Sequence, residues 1–208
     1  MMAELDGRIL MAVRTESLDR PADSRLAEED DLWVARAKTG DEAAYRWLLA
    51  RYRPHVLRLA VQMLRHEGEA EDAAQEAFIR AFGHIRSFRA TARFSTWLYR
   101  ITVRVCLDHR RLARWDAESR SLDENIGLNS ASLPTQEIET RIVVDQLMQR
   151  LSPSIRAALV LRELEGMDYT EISKVLDIPV GTVRSRLSAA RSQFRALWEA
   201  AMREKDNE

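Results

Sequence analysis

The chain has 208 residues, a formal net charge of -1 at pH 7 and 46% hydrophobic side chains. That apolar content excludes a wholly disordered chain, and the length suits one medium domain or two small ones. Seven glycines and five prolines against abundant Ala, Leu, Arg and Glu favour an all-α protein.

Residues 1–29 are mixed and weakly periodic. They read as a flexible extension, with Met11 as a candidate later start. Glu4 and Asp6 and the lack of a long apolar core are unlike a secretory signal. No apolar run approaches the roughly 18 residues of a membrane span. A cytoplasmic setting is expected. The single cysteine, Cys106, excludes an intramolecular disulfide and fits a reducing compartment.

Leu32, Ala35 and Arg36 begin a helical pattern that residues 38–41 break. Asp41 is placed to cap a helix bearing Ala44, Tyr45, Leu48, Leu49 and Tyr52. Pro54 suits the first turn of a third helix carrying Val56, Leu57, Leu59, Ala60, Met63 and Leu64, ended by Gly68. A further helix over about 70–82 puts Asp72, Gln75, Glu76 and Ile79 on one face. Carboxylates without histidines at ligand spacing suit a solvated or docking face better than a metal site. Cys106 and His109 form only a lone C-x-x-H pair, too little for zinc. No Ser/His/Asp arrangement or phosphate-cradling loop appears, so no enzyme, metal or cofactor is expected.

The near-neutral net charge conceals segregation. Residues 86–114 hold eight arginines and one acid, Asp108; residues 116–140 hold six acids and one arginine; residues 181–198 hold four arginines and no acid. Two basic segments around an acidic one form an interaction pattern. The first basic segment mixes its arginines with Phe88, Phe94, Trp97, Tyr99 and Trp115. Single-stranded nucleic acid uses that mixture, because bases stack on aromatic faces while cations track the backbone. Trp97 shares a face with Ile101, Val105 and Asp108, which divides it between core and base contact. Phe94 and Tyr99 read as the more exposed aromatics.

Residues 121–134 read as a linker. Helical periodicity resumes near Ile138. Ser152 and Pro153 start another helix, which stops at Gly166. Asp168 to Glu171 has the form of a capping box, and a short helix with Ile172, Val175 and Leu176 on one face follows. Residues 177–180 break it. A second helix then buries Val183, Leu187, Ala190, Phe194 and Leu197 as one stripe. Arg184, Ser185, Arg186 and Ser188 lie off that stripe near its N-terminus, where a recognition helix enters the major groove. Residues 168–198 therefore read as a DNA-binding helix-turn-helix.

Three stretches, EDAAQEAFIRAF (71–82), FSTWLYRI (94–101) and LSPSIRAALVLRELEGMDYTEISKVLDIPVGTVRSRL (151–187), resemble in order and spacing the extracytoplasmic-function group of bacterial sigma factors. The resemblance covers most of residues 32–198. It implies a sigma-2 helical bundle over 30–115, a flexible acidic linker over 116–137, a sigma-4 helix-turn-helix domain over 138–200 and a tail over 201–208. It implies core RNA polymerase and promoter DNA as partners, with an anti-sigma factor as a further one. Asp72, Gln75, Glu76, Phe78 and Ile79 would dock on the polymerase. Arg93, Phe94, Trp97, Tyr99, Arg100 and Arg104 would capture and open the -10 element. Thr182, Arg184, Ser185, Arg186, Ser188 and Arg191 would read the -35 element. The family often has Asn where this chain has Arg104, and an arginine where it has Ala189, which implies a promoter preference of its own. Two rival readings are a two-domain activator that binds duplex DNA without the polymerase, and a metal-dependent nucleic-acid enzyme built on the carboxylates of residues 69–76.

Overall fold

The computed structural model describes residues 24–64, 66–119 and 136–205. Among them are eight α-helices and no strand: α1 Ser24–Lys38, α2 Glu42–Met63, α3 Glu67–Gly83, α4 Phe94–Ser119, α5 Gln136–Arg150, α6 Pro153–Glu163, α7 Tyr169–Leu176 and α8 Val180–Lys205. A single 3-10 turn, Ile85–Ser87, follows α3. Residue 65 and the segments 1–23, 120–135 and 206–208 lie outside the described residues, and with them most of the extension and the linker. Two boundaries differ from expectation. Helix α4 runs on to Ser119, so the acidic stretch begins inside a helix, and α8 continues to Lys205, into the supposed tail.

The N-terminal domain is α1 to α4. Asp41 caps α2, its Oδ1 accepting from the amides of Ala43 (2.8 Å) and Ala44 (3.4 Å). Pro54 does not open a new helix, as its sequence position suggested, but sits inside α2. Proline removes one backbone donor and crowds the carbonyl four residues back. Here the ring is exposed while Tyr52, His55, Val56 and Leu59 are buried around it, so packing on both sides carries the helix through. Gly68 likewise ends nothing: α2 stops at Met63, and Gly68 lies in the first turn of α3. Helix α3 turns Ala70, Ala73, Ala74, Ala77 and Ala81 inward. Such small side chains let α2 and α4 pack closely against it. Tyr52, Phe88, Phe94 and Trp97 form an aromatic cluster with ring centroids 5.1–5.8 Å apart. Cys106 is buried on α4, and burial pushes its thiol up to about 12.

The C-terminal domain is α5 to α8. Helix α6 is buried without interruption from Ile155 to Leu161, which makes it the central helix of the domain. The capping box ahead of α7 is complete: Asp168 Oδ1 accepts from the amides of Thr170 (2.7 Å) and Glu171 (2.8 Å), and Glu171 Oε2 accepts from the Asp168 amide (2.9 Å). Asp177 closes α7 in the left-handed conformation, with φ at 57°, and so makes the tight turn into α8. The buried residues of both domains join in one continuous core.

Asp168→Ala removes an acceptor that serves two orphan amides. It should lower the unfolding free energy of the chain by about 1 kcal/mol, read from denaturant titration followed by circular dichroism. No change within error would mean that tertiary packing alone sets the start of α7.

Candidate nucleic-acid interface

Helix α8 presents two opposed faces. Val183, Leu187, Ala190 and Phe194 are buried, while Arg184, Ser185 and Ser188 are exposed and Thr182 and Arg186 half-buried. Ser185 Oγ donates to the Thr182 carbonyl at 3.0 Å, which fixes its rotamer in the first turn. Arg184 and Arg186 have no charged partner among the described residues. Arg191 does: its Nη2 lies 3.0 Å from Glu163 Oε1 on α6. The N-terminal turns of α8 thus carry two uncommitted guanidiniums beside a helix N-terminus, both of which favour phosphate or guanine.

Helix α4 departs from its sequence reading. Phe94 and Tyr99, expected to be exposed, are 1% and 2% exposed. Phe94 is held inside the aromatic cluster. Tyr99 is buried because its hydroxyl donates to Glu165 Oε2 at 2.7 Å, a residue of the C-terminal domain. Trp97 is the half-buried ring, against Phe88 and Phe94. The arginines of this face also meet acids from the other domain. Arg93 lies 3.7 Å from Glu171, and Arg100 and Arg104 lie 2.9 and 3.5 Å from Asp177 Oδ2.

Sequence reasoning missed Glu165. It sits in the turn between α6 and α7 with its side chain only 1% exposed. Besides Tyr99, its carboxylate accepts from Arg58 Nε (3.2 Å) and Nη2 (2.8 Å), and His55 Nδ1 lies 3.3 Å away. Burial alone would raise the pKa of this group, but His55, Arg58 and Tyr99 together hold it below the ordinary glutamate range. Burial, reinforced by the neighbouring Glu165 charge, pushes the Tyr99 phenol well above its usual value. A second joint lies nearby. The buried Arg156 donates to the carbonyls of Met63 (3.1 Å) and Leu151 (2.8 Å), Arg110 donates to the same Met63 carbonyl (3.1 Å), and Gln149 donates to Leu64 (2.9 Å). These donors cap the carbonyls that α2 leaves open at its C-terminus. Nothing in periodicity signals either joint. The only hint is an arginine, Arg156, within the apolar run of α6.

The acidic face of α3 is divided. Asp72 and Gln75 are exposed, and Ile79 is 65% exposed. Glu76 is engaged by His109 (2.8 Å) and Arg80, and its hydrogen bond to His109 is the main reason its pKa falls. Phe78, expected on the docking face, is buried against Phe82, because it falls on the side of α3 that carries the alanines. Among the described residues, no group of three or more His, Cys, Asp or Glu side chains could hold a metal ion, and no helix is long and apolar enough to cross a membrane.

Comparison with known proteins gives this geometry its context. The family Sigma-70 region 2 matches residues 48–116, and the family Sigma-70, region 4 matches residues 141–194. The chain is similar to the RNA polymerase sigma-H factor of Pseudomonas aeruginosa, with 35% identity over 85% of this chain and 97% of that protein. It is 36% identical to the ECF RNA polymerase sigma-E factor of Escherichia coli K12, over 78% of this chain and 90% of that protein. Among solved structures it is similar to CnrH in complex with the cytosolic domain of CnrY, with a TM-score of 0.62, 25% identity and coverage of 82% of this chain and 97% of that one. It shares its fold with the sigma factor RpoE of Bartonella quintana, solved with the anti-sigma factor NepR, at a TM-score of 0.61 and 21% identity over 74% of this chain and 96% of that one.

Phe78→Ala should cost about 3–5 kcal/mol of stability, as for other large core truncations. The measurement is chemical denaturation of the full chain. A stable Phe78→Ala protein would return that ring to the surface.

Proposed function

The chain belongs to the extracytoplasmic-function group of RNA polymerase sigma factors, which direct transcription initiation, and from that premise we propose a division of labour among its residues. The turns of α8 bearing Thr182, Arg184, Ser185, Arg186 and Ser188 read the -35 duplex. Arg191 joins them when it leaves Glu163. Arg93, just ahead of α4, and Trp97, Arg100 and Arg104 on its outer face hold the -10 strand once it is separated, and the buried Phe94 and Tyr99 support that face from within. Asp72, Gln75, Glu76 and Ile79 dock on core RNA polymerase. Phe78 shapes the docking helix from beneath. The protein acts as a binding and directing subunit, performs no chemistry itself, and works where the polymerase works, in the cytoplasm.

The observation that carries this reading is the two-faced α8. Its buried stripe fixes the helix against α6 and α7, and its uncommitted Arg184 and Arg186 stand in the first turns. A helix so mounted delivers its N-terminal residues to base edges and phosphates while the scaffold stays folded. Ala189, where the family often has arginine, leaves a gap in that row and gives this chain a promoter preference of its own. Two of the solved structures with this fold carry partners, the cytosolic domain of CnrY and the anti-sigma factor NepR. On that likeness we infer that this chain too is restrained by an anti-sigma protein.

Arg184→Ala should weaken binding of the polymerase complex to its own promoter by about 1–3 kcal/mol and relax the base preference at one -35 position. The promoter comes from sequencing DNA bound in cells, and the affinity from titration at fixed salt. Uniform weakening on all sequences would reduce Arg184 to a phosphate contact. Gln75→Ala combined with Ile79→Ala should leave helicity and melting unchanged, because both side chains are exposed. The same variant should lower affinity for core polymerase by roughly tenfold or more, measured by co-purification and fluorescence anisotropy. Undiminished binding would move the docking face elsewhere.

A further inference from the structure

Lys38 is the last residue of α1, yet its side chain ends on Phe88, 50 residues further along the chain. We propose that Lys38 is a positioning residue for promoter opening: it pins the loop ahead of α4 at Phe88, and through Phe88 sets the attitude of Trp97 toward the separated -10 strand. This rests on the reading of Trp97 as a face for that strand.

Three observations carry it. First, the base of Lys38 is fixed. The amides of Thr39 and Gly40 donate to the carbonyls of Arg36 and Ala37, each at 3.0 Å, and Gly40 turns the chain with φ at 91°. Arg36 is paired with the N-cap Asp41 at 2.7 Å, which ties the end of α1 to the start of α2. Second, the tip of Lys38 is fixed. Its Nζ donates to the Phe88 carbonyl at 2.7 Å and stands 5.3 Å from the centre of the Phe88 ring, and it has no carboxylate partner among the described residues. A half-buried ammonium without a counter-ion is directed by what it touches, here one carbonyl and one aromatic face. Third, Phe88 passes this placement on. The inner side of Trp97 rests on two rings, Phe88 at 5.1 Å and Phe94 at 5.7 Å between centroids. Phe94 is set by α4 itself. Phe88 follows the 3-10 turn, outside any α-helix, and its own amide reaches only back to the Ile85 carbonyl at 3.1 Å. Lys38 is the anchor that reaches it from another element.

An aromatic side chain receives a base only within a narrow range of tilt and depth. Loss of the Lys38 ammonium takes a donor from the Phe88 carbonyl and a cation from its ring, which frees the loop to shift and Trp97 to tilt with it. The effect reaches the strand through Trp97. It leaves the exposed residues of α3 and the first turns of α8 as they are, so it separates opening from docking and from duplex binding. Lys38 itself need not touch DNA.

The test follows opening of the protein's own promoter by reconstituted holoenzyme, read from a fluorescent base analogue placed in the -10 element. Circular dichroism checks the fold of each variant. Lys38→Met keeps a long apolar stem and removes the ammonium, whereas Lys38→Arg keeps both a donor and a cation. Lys38→Met should slow opening by roughly tenfold, the scale of one lost charged hydrogen bond, while affinity for core polymerase and for -35 duplex stays at the wild-type level. Lys38→Arg should restore most of the rate. Trp97→Ala should slow opening at least as much, and adding Lys38→Met to it should change nothing further, because two residues that act through one contact do not add. Wild-type opening by Lys38→Met, no rescue by Lys38→Arg, an additive loss in the double variant, or an equal fall in core binding would each overturn the positioning role. Undiminished opening by Trp97→Ala would instead overturn the reading of Trp97 as a strand face, and the positioning role with it. Should Lys38→Met lose helical content, Lys38→Gln decides in its place: its shorter, neutral donor should give a smaller slowing of the same sign, and no slowing would overturn the proposal.

Discussion

A carboxylate taken out of water must be given partners, and in this protein the partners of Glu165 come from another domain. His55, Arg58 and Tyr99 reach it from α2 and α4, and their combined pull outweighs the burial that would otherwise favour its neutral form. A rotation or slide of one domain on the other would strand the charge. The group therefore fixes registry, a better attested role for a buried ion pair than stabilisation. The linkage follows from the direction of the shift. Because the folded pKa is depressed, the contribution of Glu165 is full above the ordinary glutamate value of 4.5 and is lost as pH falls through the lower folded value.

That registry sets what the basic face of α4 sees. The segregation of charge along the sequence suggested a basic segment waiting for nucleic acid. In the fold, part of that charge is answered from within, by Glu171 and Asp177. Helix α8 is answered less: Arg191 has Glu163, while Arg184 and Arg186 remain open to a ligand. The two basic helices of one chain thus differ in how far their cations are already paired, a difference that no property of either helix alone would reveal.

What was legible in the sequence was local. The caps at Asp41 and Asp168, the proline-led start of α6 and the stripe of α8 depend on residues within a few turns of one another, and each lies where spacing placed it. Non-local packing was not legible. Pro54 carries the chemistry of a helix start, yet buried neighbours on both sides keep α2 whole. Phe78 and Ile79 are adjacent apolar residues, and only the position of the α2 and α4 surfaces decides that the first is core and the second exposed. Tyr99 lies off the face that Trp97 shares with Ile101 and Val105, and so looks like a surface ring. What buries it is a glutamate 66 residues further on, a contact that no periodicity encodes. The candidate site was therefore visible as a set of residue types and hidden as a set of exposures.

Cys106 lies in the interior of α4, with its thiol pushed up to about 12 by burial. A thiol reacts with oxidants and electrophiles through its thiolate, which is nearly absent at neutral pH under such a shift, and the surrounding core keeps reagents away. The sequence offers no second cysteine. In the folded domain Cys106 is thus a packing residue, poorly suited to sensing oxidants.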